Sequence, residues 1–223
     1  MSMVFEIPVP SLAIQGSEDR FPVRRIWCVG RNYPEHVREM GGTAKELPVF
    51  FAKPADAVVA GGGVIPYPPQ TANLHHEIEL VLAIGRGGAD IPVEQAAACV
   101  FGCAVGIDLT RRDLQAALRK EGRPWEMAKG FDRSAPVGAL RRGPAPERAA
   151  IWLEVNGAGR QRSDISNMIW SVPEILANLS TFVALAPGDL VFTGTPEGVG
   201  PLLRGDTASG GIDGIGDLRI TIA

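Results

Sequence analysis

A β-rich α+β fold built mainly as one domain is what the sequence predicts, on three observations. Short apolar runs recur along the 223 residues, clusters of turn formers separate them, and a few stretches carry helix start signals. The runs are Arg25–Val29, Val49–Ala52, Glu77–Ile84, Cys99–Ile107, Ile151–Val155, Leu190–Thr193 and Leu218–Ile222, each of strand length. AGGG, GRGG, NGAG and APGD stand between them, and the 27 glycines and 18 prolines are spread as punctuation, not gathered into a linker.

The helical stretches follow in chain order. Asn32–Met40 opens on an N-x-x-E signal formed by Asn32 and Glu35. Ile91–Val100 has Pro92 near its start, where a missing N–H costs nothing. Thr110–Glu121 pairs Thr110 with Asp113 at its start and meets Gly122 as a stop. Ser171–Val183 begins with Ser171, Pro173 and Glu174, and Pro187-Gly188 turns the chain afterwards. Arg141–Arg148, with two prolines, reads as an exposed loop.

Composition excludes several classes. The formal charge is −3, and lysine and arginine form no basic stripe with aromatics between, so nucleic acid is not an expected partner. Cys28, Cys99 and Cys103 make no zinc or redox motif, and an odd count argues against a disulfide scaffold. No run reaches transmembrane length and MSMVFEIPVP lacks a signal pattern, so no membrane contact and a cytoplasmic location are expected.

The chemistry begins at LHHEIELVLAIG, where Glu77 and Glu79 lie two apart. On one strand they would share a face at roughly 7 Å, and Asp108, at the end of VFGCAVGIDLT, would bring a third carboxylate from another strand. An E-x-E pair is commonly a solvated face. Here Leu80–Ile84 follows directly, so the pair enters a strand buried on both faces, where carboxylates need partners or a metal. All-oxygen donors suit Mg2+ or Mn2+ and leave coordination positions open for catalysis. His75 falls on the same side as the two glutamates, where it could be a fourth ligand and is rather expected to support them by hydrogen bonding or packing.

His36 has Glu39 one helical turn on, an arrangement in which a carboxylate orients an imidazole as a water-activating base. The alternative is an ordinary surface pair. Gly41 and Gly42 follow, and could hinge this helix as a lid. Lys129, in PWEMAKGFD, could hold an oxyanion or carboxylate as a point charge. FTGTPEGVG lacks the G-K-[ST] of a Walker A loop, and is expected to offer backbone N–H groups and the Thr195 hydroxyl to an anionic ligand.

Taken together, CVGRNYPEHVREM, FAKPADAVV, LHHEIELVLAIG, GIDLTRRDLQ, GRPWEMAKGFDRSAPVG, MIWSVPEILANLS and GDLVFTGTPEGVGP resemble the fumarylacetoacetate hydrolase family, in its small acylpyruvate hydrolase branch. They run in the family's order from Ile26 to Pro201, and GDTASGGIDGIGDL is similar to its ending. The resemblance implies a mixed β-roll with short peripheral helices, a homodimer, and one divalent cation per subunit, Mg2+ or Mn2+. It implies Glu77, Glu79 and Asp108 as metal ligands, His36 and Glu39 as the base and its orienter, and Lys129 as the catalytic lysine. Arg112, Gln115 and Thr195 match substrate contacts, and Arg31, beside the His36 helix, is a further candidate. A catalytic domain at 25–223 follows, with the short 1–24 segment where longer members carry a separate domain.

The implied reaction is cleavage of a C–C bond in a 2,4-dioxo acid by water, with 3-fumarylpyruvate as the expected substrate. A broader acylpyruvate hydrolase and an oxaloacetate decarboxylase would use the same site. A non-enzymatic, metal-stabilised binding protein is the rival from another class, and the His36–Glu39 pair speaks against it.

Overall fold

The structure is a computed structural model that describes residues 3–41 and 47–223. Its centre is a large mixed sheet with strands in the order Val49–Lys53, Arg25–Gly30, Asp189–Phe192, Ile78–Ile84, Val100–Ile107, Ala135–Val137 and Val58–Ala60, and Arg141–Arg142 pairs against Val100–Ile107. A second sheet runs Ala158–Asp164, Ala150–Val155, Thr207–Ile212, Gly216–Ile222 and Gly63–Ile65. A small third sheet joins Thr110–Arg111, Leu74–His76 and Gly200–Leu202.

Strand alternation explains how the central strand can be apolar throughout. Every residue of Ile78–Ile84 is buried. Ile78, Leu80, Leu82 and Ile84 enter a core shared with Ile151, Leu153 and Leu218 of the second sheet, which is sheet-on-sheet packing. Val81 and Ala83 face the opposite way, into a core with Phe192 and Leu190. That side is covered in part by the hairpin of Ser11–Ala13 and Arg20–Pro22, through Leu12 and Phe21. Glu79 belongs by alternation to the Val81 face.

Among the described residues, five short α-helices surround the sheets: α1 (Pro34–Glu39), α2 (Val93–Ala96), α3 (Arg112–Lys120), α4 (Glu126–Lys129) and α5 (Val172–Phe182). Three of the expected helices are shorter than their sequence signals suggest, and α4 was not foreseen. Asn32 does not cap α1; its side-chain amide donates to the carbonyls of Trp170 and Thr193, and the N-cap is Tyr33. Thr110 cannot cap α3 because it pairs in a strand with His75, while Asp113 accepts from Thr71 Oγ1 and the Ala72 N–H. After α2 the chain tightens to a 3-10 turn at Ala97–Cys99 and enters the next strand. The start signal of α5 holds: Glu174 Oε2 accepts from the Ser171 N–H at 2.8 Å and its hydroxyl at 2.6 Å. Of the expected exposed loop, Arg141 and Arg142 are instead a strand on the central sheet.

Gly106 faces Glu79 across the Ile78–Ile84 and Val100–Ile107 pair. A Cβ there would stand 2.4 Å from Val81 Cγ2 and 2.7 Å from the Phe192 ring, atoms with no free volume to retreat into. Gly106→Ala is therefore expected to destabilise the fold by about 1–3 kcal/mol, the usual cost of overpacking. Urea unfolding should show a lower midpoint with an unchanged slope; an unchanged midpoint would contradict this packing.

Candidate active site

The chain passes from the small sheet to the central one at Glu77, which lies between the strands Leu74–His76 and Ile78–Ile84. The two glutamates therefore do not share one continuous strand, as the E-x-E spacing suggested. Glu77 is tied to the third acid through its backbone, since its carbonyl accepts from the Asp108 N–H at 2.8 Å. Glu77, Glu79 and Asp108 are all buried, and each contributes a ligand atom within 4.8 Å of the others.

Three cations compensate this charge. Lys129 Nζ lies 2.9 Å from Glu77 Oε2, 2.7 Å from Asp108 Oδ2 and 2.6 Å from Thr110 Oγ1. Those contacts occupy all three of its N–H groups, so Lys129 acts on the cleft as a fixed charge and not as a free donor. Lys53 Nζ stands 2.7 Å from Asp108 Oδ1 and also bonds the Leu109 and Lys129 carbonyls. Arg112 donates to Glu77, to Gln115 and, through Nε at 3.3 Å, to His75 Nδ1.

Burial pushes the Glu77 carboxyl up, and Lys129 and Arg112 more than offset it, holding the group well below the usual carboxylate range. Glu79 behaves oppositely: burial, then Asp108 and Glu77, raise it well above its ordinary value. Burial lowers Lys129, but Asp108 and Glu77 outweigh that and raise it. His75 is lowered to about 4, by burial first and then by Arg112, and is the neutral acceptor that Arg112 requires.

The donor set fits a hard divalent cation. Asp108 Oδ1 has an ion-pair neighbour in Lys53 but no hydrogen-bond donor in line with it, although it is fully buried. Among the described residues Glu79 accepts a hydrogen bond on Oε2 alone, from the Gly194 N–H at 2.7 Å. A raised carboxyl beside two others is the arrangement a cation relieves.

Above the cluster lies an open cleft of about 480 Å³. His36 lines it, with Nδ1 3.3 Å from Glu39 Oε2; the other oxygen of Glu39 accepts from the Gly198 N–H at 2.9 Å. Arg31, Arg112, Gln115 and Thr195 also line it, so the sequence candidates come together in one region, Asp108 joining through the acid cluster and Glu39 through His36 without lining the cleft themselves. Thr195 Oγ1 accepts from Gln161 Nε2 at 2.8 Å. The 194–198 loop differs from expectation: its Gly194 and Gly198 N–H groups serve protein carboxylates, not an anionic ligand. Gly41 has φ +72°, as a hinge position allows, and Gly42 lies outside the described residues.

Three contributors escaped the sequence reading. Lys53 ends the apolar strand Val49–Lys53, and a lysine closing such a run was the available signal. Thr110 was spent on a cap that does not form. Gln161, which gave no sequence signal, accepts from the Ile78 N–H at 3.1 Å, meets His76 Nδ1 at 3.0 Å and holds Thr195.

The sequence profile described as fumarylacetoacetate (FAA) hydrolase C-terminal matches residues 25–223. Fumarylpyruvate hydrolase of a Ralstonia species is 43% identical over 179 residues, covering 79% of this chain and 93% of that one. Mitochondrial oxaloacetate tautomerase FAHD1 of Mus musculus is 41% identical over 211 residues, covering 90% and 96%. Among solved structures, fumarylpyruvate hydrolase from Pseudomonas aeruginosa in complex with Mn2+ and pyruvate superposes with a TM-score of 0.96 at 55% identity, over 100% of this chain and 99% of that one.

Glu79→Ala removes one of the three clustered carboxylates and is expected to weaken Mn2+ binding about 100-fold or more. Calorimetric titration of the folded variant is the check, and an affinity equal to that of the wild type would remove Glu79 from the ligand set.

Proposed function

This chain belongs to the fumarylacetoacetate hydrolase family, and on that premise we propose that it hydrolyses a C–C bond of a 2,4-dioxo acid, converting 3-fumarylpyruvate to fumarate and pyruvate. The observation that carries the reading is a single cleft in which the Glu39-oriented His36 and the buried carboxylates Glu77 and Glu79 line the same space. A hydrolase needs both: a base for water, and a means of tolerating an enolate leaving group.

Glu77, Glu79 and Asp108 would hold the divalent cation, which when bound supplies Lewis acidity toward the oxygens of the dioxo acid. The remaining steps belong to side chains of this protein. Glu39 receives the Nδ1–H of His36, leaving the other ring nitrogen free to take a proton from water. The water oxygen adds to the acyl carbonyl carbon. The bond from that carbon to the methylene then breaks, its electron pair passes to the pyruvate fragment as an enolate, and protonation there gives pyruvate. Lys129 and Arg112, fixed around Glu77, place positive charge beside the carbons where negative charge grows, so little reorganisation is required at the moment of reaction. Gln115, whose Oε1 is taken by Arg112, offers its N–H2 to the substrate, and the held Thr195 hydroxyl is a second contact.

A second reading is favoured by the tautomerase relative in Mus musculus: enolisation of oxaloacetate in the same cleft. That reaction moves a proton between carbon and oxygen and needs no attacking water. Oxaloacetate decarboxylation shares this feature.

His36→Ala should cut fumarylpyruvate hydrolysis by roughly 100-fold or more, the scale of a lost general base, with Mn2+ affinity retained. Loss of the enol absorbance of the dioxo acid follows the reaction directly. A variant that hydrolyses at the wild-type rate would sink the assignment of the base, and failure of the wild-type protein to cleave any acylpyruvate would leave the oxaloacetate reading in its place.

A further inference from the structure

Arg112, Gln115 and Arg119 follow one another on α3 at spacings of three and four residues, and all of them line the cleft. With a rise of 1.5 Å per residue, Arg119 lies about 10 Å along the helix from Arg112. The cleft continues in that direction into a second hollow of about 620 Å³, lined by Met40, Arg112, Gln115, Ala116, Arg119 and Lys120. His36 lines the inner part of this space, and Met40, four residues further along, lines both parts. The reacting centre is therefore inward, and the outer end is basic, with no acidic residue among the described residues that line it.

Its cations are unequally committed. The Arg112 guanidinium is shared among His75, Gln115 and Glu77. The Arg119 guanidinium has no hydrogen bond, ion pair or ring contact among the described residues.

We propose that Arg119 recognises a second anionic group, the terminal carboxylate of the acyl fragment, at the outer end of the cleft. The proposal rests on the dioxo acid reading and narrows it to acids charged at both ends, with the scissile bond held between the carboxylate cluster and Arg119. Guanidinium suits this task because its planar fork matches a carboxylate in two parallel hydrogen bonds. With no partner among the described residues to give up, Arg119 gains from such a substrate what a methyl-ended acyl group cannot supply. Arg31, the further substrate-contact candidate of the sequence, lines the inner cleft along with His36.

The test compares wild type, Arg119→Ala and Arg119→Lys, each loaded with Mn2+, on fumarylpyruvate and acetylpyruvate. The ratio of kcat/KM for the two acids should fall about 10-fold in Arg119→Ala, the scale of one charge-assisted contact, through KM for fumarylpyruvate, and Arg119→Lys should recover part of it. An unchanged ratio, or equal loss on both acids, would overturn the proposal. Calorimetry with fumarate and with crotonate, which has one carboxylate fewer, decides the point without turnover. Fumarate should bind the wild type more tightly, and Arg119→Ala should abolish the difference. Equal binding of the two acids to the wild type would reject the role of Arg119. Should the wild type cleave neither dioxo acid, the proposed reaction falls, and the fumarate and crotonate titrations still decide what Arg119 recognises.

Discussion

Three carboxylates buried within 4.8 Å of one another are tolerable only where positive charge is brought to them, and much of this fold exists to bring it. Lys53 comes from an edge strand of the central sheet, Lys129 from the end of α4 and Arg112 from the start of α3. Each arrives on a different element, so the elements must pack correctly before the charges balance. The cluster in turn fixes those elements, since removing one partner from a buried ion pair typically costs about 3–5 kcal/mol. Glu79 is the member left over-supplied with neighbouring negative charge, and its raised pKa marks where a divalent cation has most to offer.

The same economy governs the apolar side. Alternation along Ile78–Ile84 sends even-numbered residues to one core and Val81 and Ala83 to the other, and Glu79 rides on the second face. The acid is carried into the interior by the strand that builds both cores. Gly106 opposite it leaves the room that Val81 and Phe192 fill, so the packing of the sheet and the position of Glu79 are set together.

How much of this was legible in the sequence depended on the range of the interaction. The seven strands marked by apolar runs are all present, because burial on a pleated surface leaves its trace in neighbouring residues. The capping box of α5 is equally local. Asn32 and Thr110 were misread for the converse reason: both carry residue types that cap helices, and both are spent on partners far away in sequence. Asn32 reaches Trp170 and Thr193, 138 and 161 residues on, and Thr110 reaches Glu77 and Lys129. Lys53 stayed hidden because a lysine ending a strand ordinarily reaches solvent, and its burial is explained by Asp108 and the Leu109 and Lys129 carbonyls, all distant in sequence. The resemblance of ordered motifs is what chose the proposed ligand set and base; spacing alone supplied candidates without choosing among them.

One loop ties the two halves of the site. Gly194 donates its N–H to Glu79, and Gly198 donates to Glu39. Both glycines are confined, with φ of +99° and +87°, and a Cβ at Gly198 would stand 2.1 Å from the Arg160 carbonyl. The donors are backbone groups, so the link from Glu79 to Glu39 runs through the peptide planes of this loop and contains no side chain to lose. Glu79, among the clustered acids, and Glu39, behind His36, are thereby held by one short stretch of backbone.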